Sequence, residues 1–103
     1  MPVPPPAVRR AAADGLRLRE EYGRGGTEIG VARARDLSNG RNVSVDTLRR
    51  MVAYFDRHEG DFEAPAAHRG HPDYPSAGKI AWLLWGGDSG RAWAKRELAS
   101  IDQ

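Results

Sequence analysis

Glycine punctuation limits this chain to short elements. "GRGGT" at 23–27, "SNG" at 38–40 and "GG" at 86–87 interrupt it, and no stretch between them alternates apolar and polar residues as a half-buried strand would. Thr27, Ser44 and Ser76 each stand just ahead of an apolar-patterned run, where a hydroxyl can accept from the free N–H groups of a helix's first turn. Short capped segments without strand periodicity predict an all-α fold. A chain of 103 residues supports one modest core and one domain.

The spacing predicts four to five short helices. The first begins after "PVPPP", with Pro6 in its first turn, and stops at Gly23. Small residues at Ala11, Ala12 and Gly15 on that helix allow another helix to approach closely. The second follows Thr27, but Ile29, Val31, Ala32, Ala34 and Leu37 form no clean stripe. The third follows Ser44 and carries Leu48, Met51, Val52 and Phe55 at i, i+3, i+4 and i+7. His58 and Gly60 mark its end. The fourth follows Ser76 through "IAWLLW", and the fifth is read as capped by Asp88. The predicted core is Leu48, Met51, Val52, Phe55, Ile80, Leu83, Leu84 and Trp93. Residues 1–6 read as an extended proline-rich arm and 7–103 as one helical domain. A long irregular loop is expected around 60–75.

Several chemistries are excluded. The chain has no cysteine, so disulfides, thiolate zinc sites and cysteine nucleophiles are ruled out. No apolar run approaches the ~20 residues of a membrane span, and the N-terminus lacks a signal-type apolar segment, which predicts a complete intracellular chain. His58, His68 and His71, with Glu59, Asp61, Glu63 and Asp73 nearby, have neither an HExxH motif nor a nucleophile beside them. No catalytic residue, metal site or cofactor is therefore assigned. Trp82 and Trp85 are candidates for base stacking, with a packed core as the competing role.

Charge is what remains. Net charge is only +2, but fourteen of the sixteen cations are arginine. Residues 1–50 hold ten arginines against six acids, whereas 51–75 are acidic. Arginine's planar fork suits phosphate and carboxylate. "GRGGT" ahead of a helix offers free N–H groups to an anion, with Arg24 beside them, yet it lacks the ending of a Walker loop and no strand precedes it. The "helix–SNGRNVS–helix" outline resembles a helix-turn-helix. It places Ser44, Asp46, Thr47 and Arg50 nearest base edges or phosphates, and with the glycine loop it nominates Arg24, Arg33, Arg35, Arg41, Ser44, Thr47, Arg49 and Arg50 as nucleic-acid-binding residues.

The run "GRGGTEIGVARARDLSNGRNVSVDTLRRMVAYFDRHEGD", with "YPSAGKIAWLLWGGDSGRAW" after a gap, resembles a small domain of tailed-bacteriophage proteins. That domain occurs alone or beside head-maturation modules. "VARARDL", "LRRM", "RHE" and "AWLLWGGD" carry the likeness, which spans roughly Gly15 to Trp93. It implies phage or prophage origin and brings no activity with it.

Two functions follow as expectations. One is a phage accessory protein that binds nucleic acid, DNA rather than RNA, through an arginine-rich helical face. The other is a virion structural, assembly or protein-docking module, with oligomers among its forms. The place of action is the cytoplasm of the host bacterium or the virion, with no membrane partner.

Overall fold

The three predicted hydroxyl caps, Thr27, Ser44 and Ser76, are all formed. The structure, a computed structural model, describes residues 2–60, 70–72 and 74–101. Within them lie α1 (Pro6–Tyr22), α2 (Glu28–Ser38), α3 (Val45–Arg57), α4 (Ala77–Leu84) and α5 (Gly87–Ile101), and no strand. The fold is all-α. Thr27 Oγ1 accepts from Gly30 N at 3.2 Å, and Ser76 Oγ accepts from Lys79 N at 3.0 Å. Pro6 opens α1, and Gly23 closes it in the left-handed conformation at φ 63°. His58 ends α3, its N–H reaching Tyr54 O. Most of the irregular segment expected at 60–75, with Asp61, Glu63, His68 and Asp73, lies outside the described residues.

Asp88 differs from expectation. It sits inside the first turn of α5, and its Oδ1 accepts from Trp82 Nε1 at 2.9 Å. Trp82 is fully buried, and an indole N–H removed from water needs an acceptor. That need sets Asp88's place.

Small residues bring the backbones together around α1. This helix packs on α2, α4 and α5. Its buried side is Val8, Ala12 and Gly15. A Cβ built on Gly15 would lie 2.7 Å from Leu84 N, so only glycine admits α4 at this distance. The same economy closes the α4–α5 corner, where a Cβ on Gly86 would meet Gly90 Cα at 2.9 Å. The N-terminal arm also lies against the body: Pro4 is fully buried, and Val43 N donates to Pro2 O at 2.8 Å.

α3 is held differently. Its backbone packs on α5, and α2 and α3 are not a packed pair, which departs from the helix-turn-helix outline. Aromatic side chains fill the space between α3 and α4. Phe55 meets Trp82 edge-on at 4.7 Å, and Tyr54 stacks on Trp85. Arg91 on α5 adds ion pairs to Asp56 at 3.8 Å and Glu59 at 3.7 Å near the end of α3.

Six of the eight predicted core residues are buried, while Val52 and Leu83 are half-buried at its edge. Val8, Ala12, Val31, Ala34, Leu37, Val43, Tyr54, Trp82, Trp85 and Ala94 are the other buried hydrophobic residues among those described. The stripe of α2 becomes clean once Ile29 is removed from it: Gly30, Val31, Ala34 and Leu37 face inward, and Ile29 is 65% exposed.

Candidate functional site

Because α3 stands off from α2, a groove of about 530 Å³ remains between them. One wall is the face of α3 that repeats every three to four residues: Arg50, Ala53, Tyr54, Arg57 and His58. The other is the start of α2, with Gly26, Thr27 and Ile29. Ala81 and Trp85 of α4 complete the lining. The cavity is chiefly apolar, and three cation-capable side chains, Arg50, Arg57 and His58, line one wall.

A run of stacked groups stiffens it. His58 stacks on Tyr54 with centroids 4.6 Å apart, Tyr54 on Trp85 at 4.7 Å, and the Arg33 guanidinium lies 5.7 Å from the Trp85 ring centroid. These contacts link α3, α4 and α2. Each ring loses little freedom when something enters the groove, which is the physical meaning of a preformed site.

The glycine corner proves to be a packing device. Gly25 and Gly26 have φ of 101° and 75°. A Cβ on Gly25 would lie 2.6 Å from Ile80 Cβ, and one on Gly26 would lie 2.5 Å from Leu84 Cδ1. The chain between α1 and α2 thus presses directly onto α4. Arginines brace it from both sides: Arg19 Nε donates to Gly25 O at 3.0 Å, and Arg24 Nη2 donates to Pro75 O at 2.9 Å.

The nominated residues divide by position. Arg50 lines this groove, and Arg33 stands over the ring of Trp85 without lining the groove itself. Arg35 is turned from Arg33: two residues along a helix are about 200° apart, so it falls on the opposite flank of α2. There it shares a shallow polar depression with Arg19 and Glu28. Arg24 is at the α1–α2 corner. Arg41 is in the α2–α3 link, with Asp36 Oδ1 3.8 Å from its Nε. Arg49 is on the exposed side of α3. Ser44 and Thr47 serve the helix start: Ser44 Oγ accepts from Thr47 N at 3.1 Å and donates to Thr47 Oγ1 at 3.0 Å. Arg50 is paired with Asp46 at 3.0 Å.

Trp82 is fully buried and Trp85 is 8% exposed with Tyr54 on its ring, so neither offers an open face to a base. Among the described residues no three histidine or acidic side chains gather as metal ligands, and no helix is long and apolar enough to cross a membrane. His68 lies outside those residues.

Ile29, Ala53, Tyr54, Arg57 and Ala81 were not among the nominated residues. One signal for them is in the sequence: Ile29 is the apolar residue that spoils the stripe of α2, and an apolar residue off the buried face is a candidate for contact with a partner. No protein-family model, curated protein or solved structure matches this chain.

Proposed function

We propose that this protein is a docking module that holds an acidic amphipathic helix of another protein in the groove between α2 and α3. The observation that carries this reading is the groove's composition: an exposed Ile29 faces Ala53 and Tyr54 across an apolar cavity whose α3 wall bears Arg50 and Arg57. A helix laying apolar residues into such a cleft, with glutamates toward the arginines, matches both features. A volume of about 530 Å³ suits a few anchoring side chains. The likeness to tailed-phage domains supports a partner among the proteins of a phage particle or of its assembly.

The division of the arginines favours docking over nucleic-acid binding. A polyanion gains most from cations on one continuous surface. Here Arg35 is turned away from Arg33, Arg24 donates to the Pro75 carbonyl, and Arg41 has the Asp36 carboxylate beside it.

The test uses two probes. The first is a synthetic amphipathic helix without tryptophan, bearing leucines at i, i+3, i+4 and i+7 and glutamates beside that stripe. The second is a mixed-sequence DNA duplex at low salt. Saturable change in tryptophan fluorescence with the peptide, weakened by Ile29→Asp, is expected. Salt-sensitive binding of the duplex without peptide binding would instead establish the nucleic-acid function.

A further inference from the structure

We infer that Ala53 seats one large apolar side chain of the partner helix, and that Arg50 and Arg57 each receive one of two carboxylates set seven residues apart on that helix. This rests on the docking reading above and fixes the register in which the partner is held.

Spacing supplies the first observation. Arg50, Ala53, Tyr54 and Arg57 all line the groove. They stand at i, i+3, i+4 and i+7 of α3, the four corners of one lozenge on a helix surface. Four residues so placed form the hole that takes a single knob from a facing helix. Tyr54 is 5% exposed and stacked on Trp85, which makes it a fixed corner. Ala53 is exposed and carries only a methyl group. The other walls add Gly26 and Ala81, which are also small. Small residues around the hole leave depth for a knob the size of leucine or phenylalanine.

Charge supplies the second. Arg50 and Arg57 are the remaining corners, and both are exposed. Seven residues of helix rise about 10.5 Å and come within about 20° of two full turns, so both arginines stem from one face, on either side of Ala53. A partner helix with its knob in the hole brings residues three or four positions before and after that knob past the two cations. Acids at those positions are seven apart, one for each arginine. Arg50 Nε is 3.0 Å from Asp46 Oδ2, but the two side chains are 64% and 73% exposed, and a pair so open to water contributes little. The acids nearest Arg57 in sequence, Asp56 and Glu59, are directed at Arg91 of α5, at 3.8 and 3.7 Å, and Arg91 is not part of the groove's lining. The α3 rim of the groove thus stays cationic at both ends of an apolar seat, and an acid–apolar–acid pattern complements it.

Three synthetic helices test this. All carry the leucines described above at i, i+3, i+4 and i+7. One has glutamates at i+1 and i+8, along one edge of that stripe. Each of the others keeps one of these glutamates and has glutamine in place of the second. Affinities are measured by calorimetry on the whole protein. For the wild type each glutamate should tighten binding about threefold. Arg50→Gln should erase the contribution of one glutamate, and Arg57→Gln that of the other. Arg49→Gln removes the same charge from the neighbouring position, outside the lining, and should erase neither. Ala53→Leu fills the seat at an exposed position where leucine suits a helix, and should weaken all three peptides at least about tenfold. Its melting curve, which should match that of the wild type, separates a filled seat from a damaged fold. If one arginine variant abolished both glutamate effects, or neither variant abolished any, the register would be overturned and the docking reading would stand on the binding itself. Wild-type affinity in Ala53→Leu would overturn the seat. Binding of no peptide by the wild type would remove the docking reading and the register together.

Discussion

The rings of Tyr54 and Trp85 lie nearly parallel, 9° apart with centroids 4.7 Å from each other. The pair spans a gap that the backbones of α3 and α4 leave open. An offset stack of this kind is worth about 0.5–1.5 kcal/mol beyond the area it buries. It joins the two helices that line one side of the groove, so stability and site geometry depend on the same contact.

Tyr54→Ala should therefore cost about 3–5 kcal/mol, the usual range for removing a buried ring. Tyr54→Phe retains the stack and should cost under about 1.5 kcal/mol. Thermal unfolding followed by circular dichroism measures both, and each kcal/mol should move Tm by roughly 4–8 °C at this chain length. A Tyr54→Ala protein that melts with the wild type would mean that the stack does not join the helices.

Glycine substitutions should differ in sign from what helix propensity predicts. Ala normally gains about 1 kcal/mol over Gly inside a helix. At Gly15 the new Cβ would lie 2.7 Å from Leu84 N and 3.0 Å from Leu83 C, backbone atoms that cannot rotate away. Gly15→Ala should destabilise by about 1–3 kcal/mol. Gly25→Ala should be as costly or worse, because φ of 101° and a 2.6 Å approach to Ile80 Cβ act together. Gly60→Ala meets nothing within 4 Å and serves as the control. Chemical denaturation midpoints of the three variants give the order.

Asp88→Ala should leave the buried Trp82 Nε1–H without its acceptor, at a cost of about 1–3 kcal/mol. Pairing it with Trp82→Phe, which removes the donor, tests the cause. The double variant should lose less than the sum of the two single losses. Strict additivity in a double-mutant cycle would show that Asp88 acts otherwise.

Local signals were legible in the sequence and relations between helices were not. The hydroxyls of Thr27, Ser44 and Ser76 act within three residues of themselves, so adjacent residues suffice to place those caps. Asp88 resembles them in sequence, but its carboxylate serves a tryptophan six residues earlier, a need set by tertiary burial. The stripe on α3 reports that Leu48, Met51 and Phe55 are buried, and it is silent on which helix covers them. A packed α2–α3 pair and the observed splay with aromatic fill share that pattern. The groove follows from the splay, which is why its walls come from residues scattered over Gly26 to Trp85. The glycine corner shows the same ambiguity. Consecutive glycines ahead of a cap suit an open anion cradle or a tight backbone contact equally, and only the nearness of Ile80 and Leu84 decides between them.

The most direct measurement is a two-dimensional amide and indole NMR titration with the glutamate-bearing synthetic helix. Trp85 lines the groove, whereas Trp82 is fully buried and Trp93 lies outside it, so the three indole signals report different places. The account predicts that the Trp85 indole and the amides of Ile29, Arg50, Ala53 and Arg57 shift together and saturate, while the Trp82 and Trp93 indoles stay nearly still. Shifts centred instead on Arg19, Glu28 and Arg35, or no saturable shifts at millimolar peptide, would contradict it.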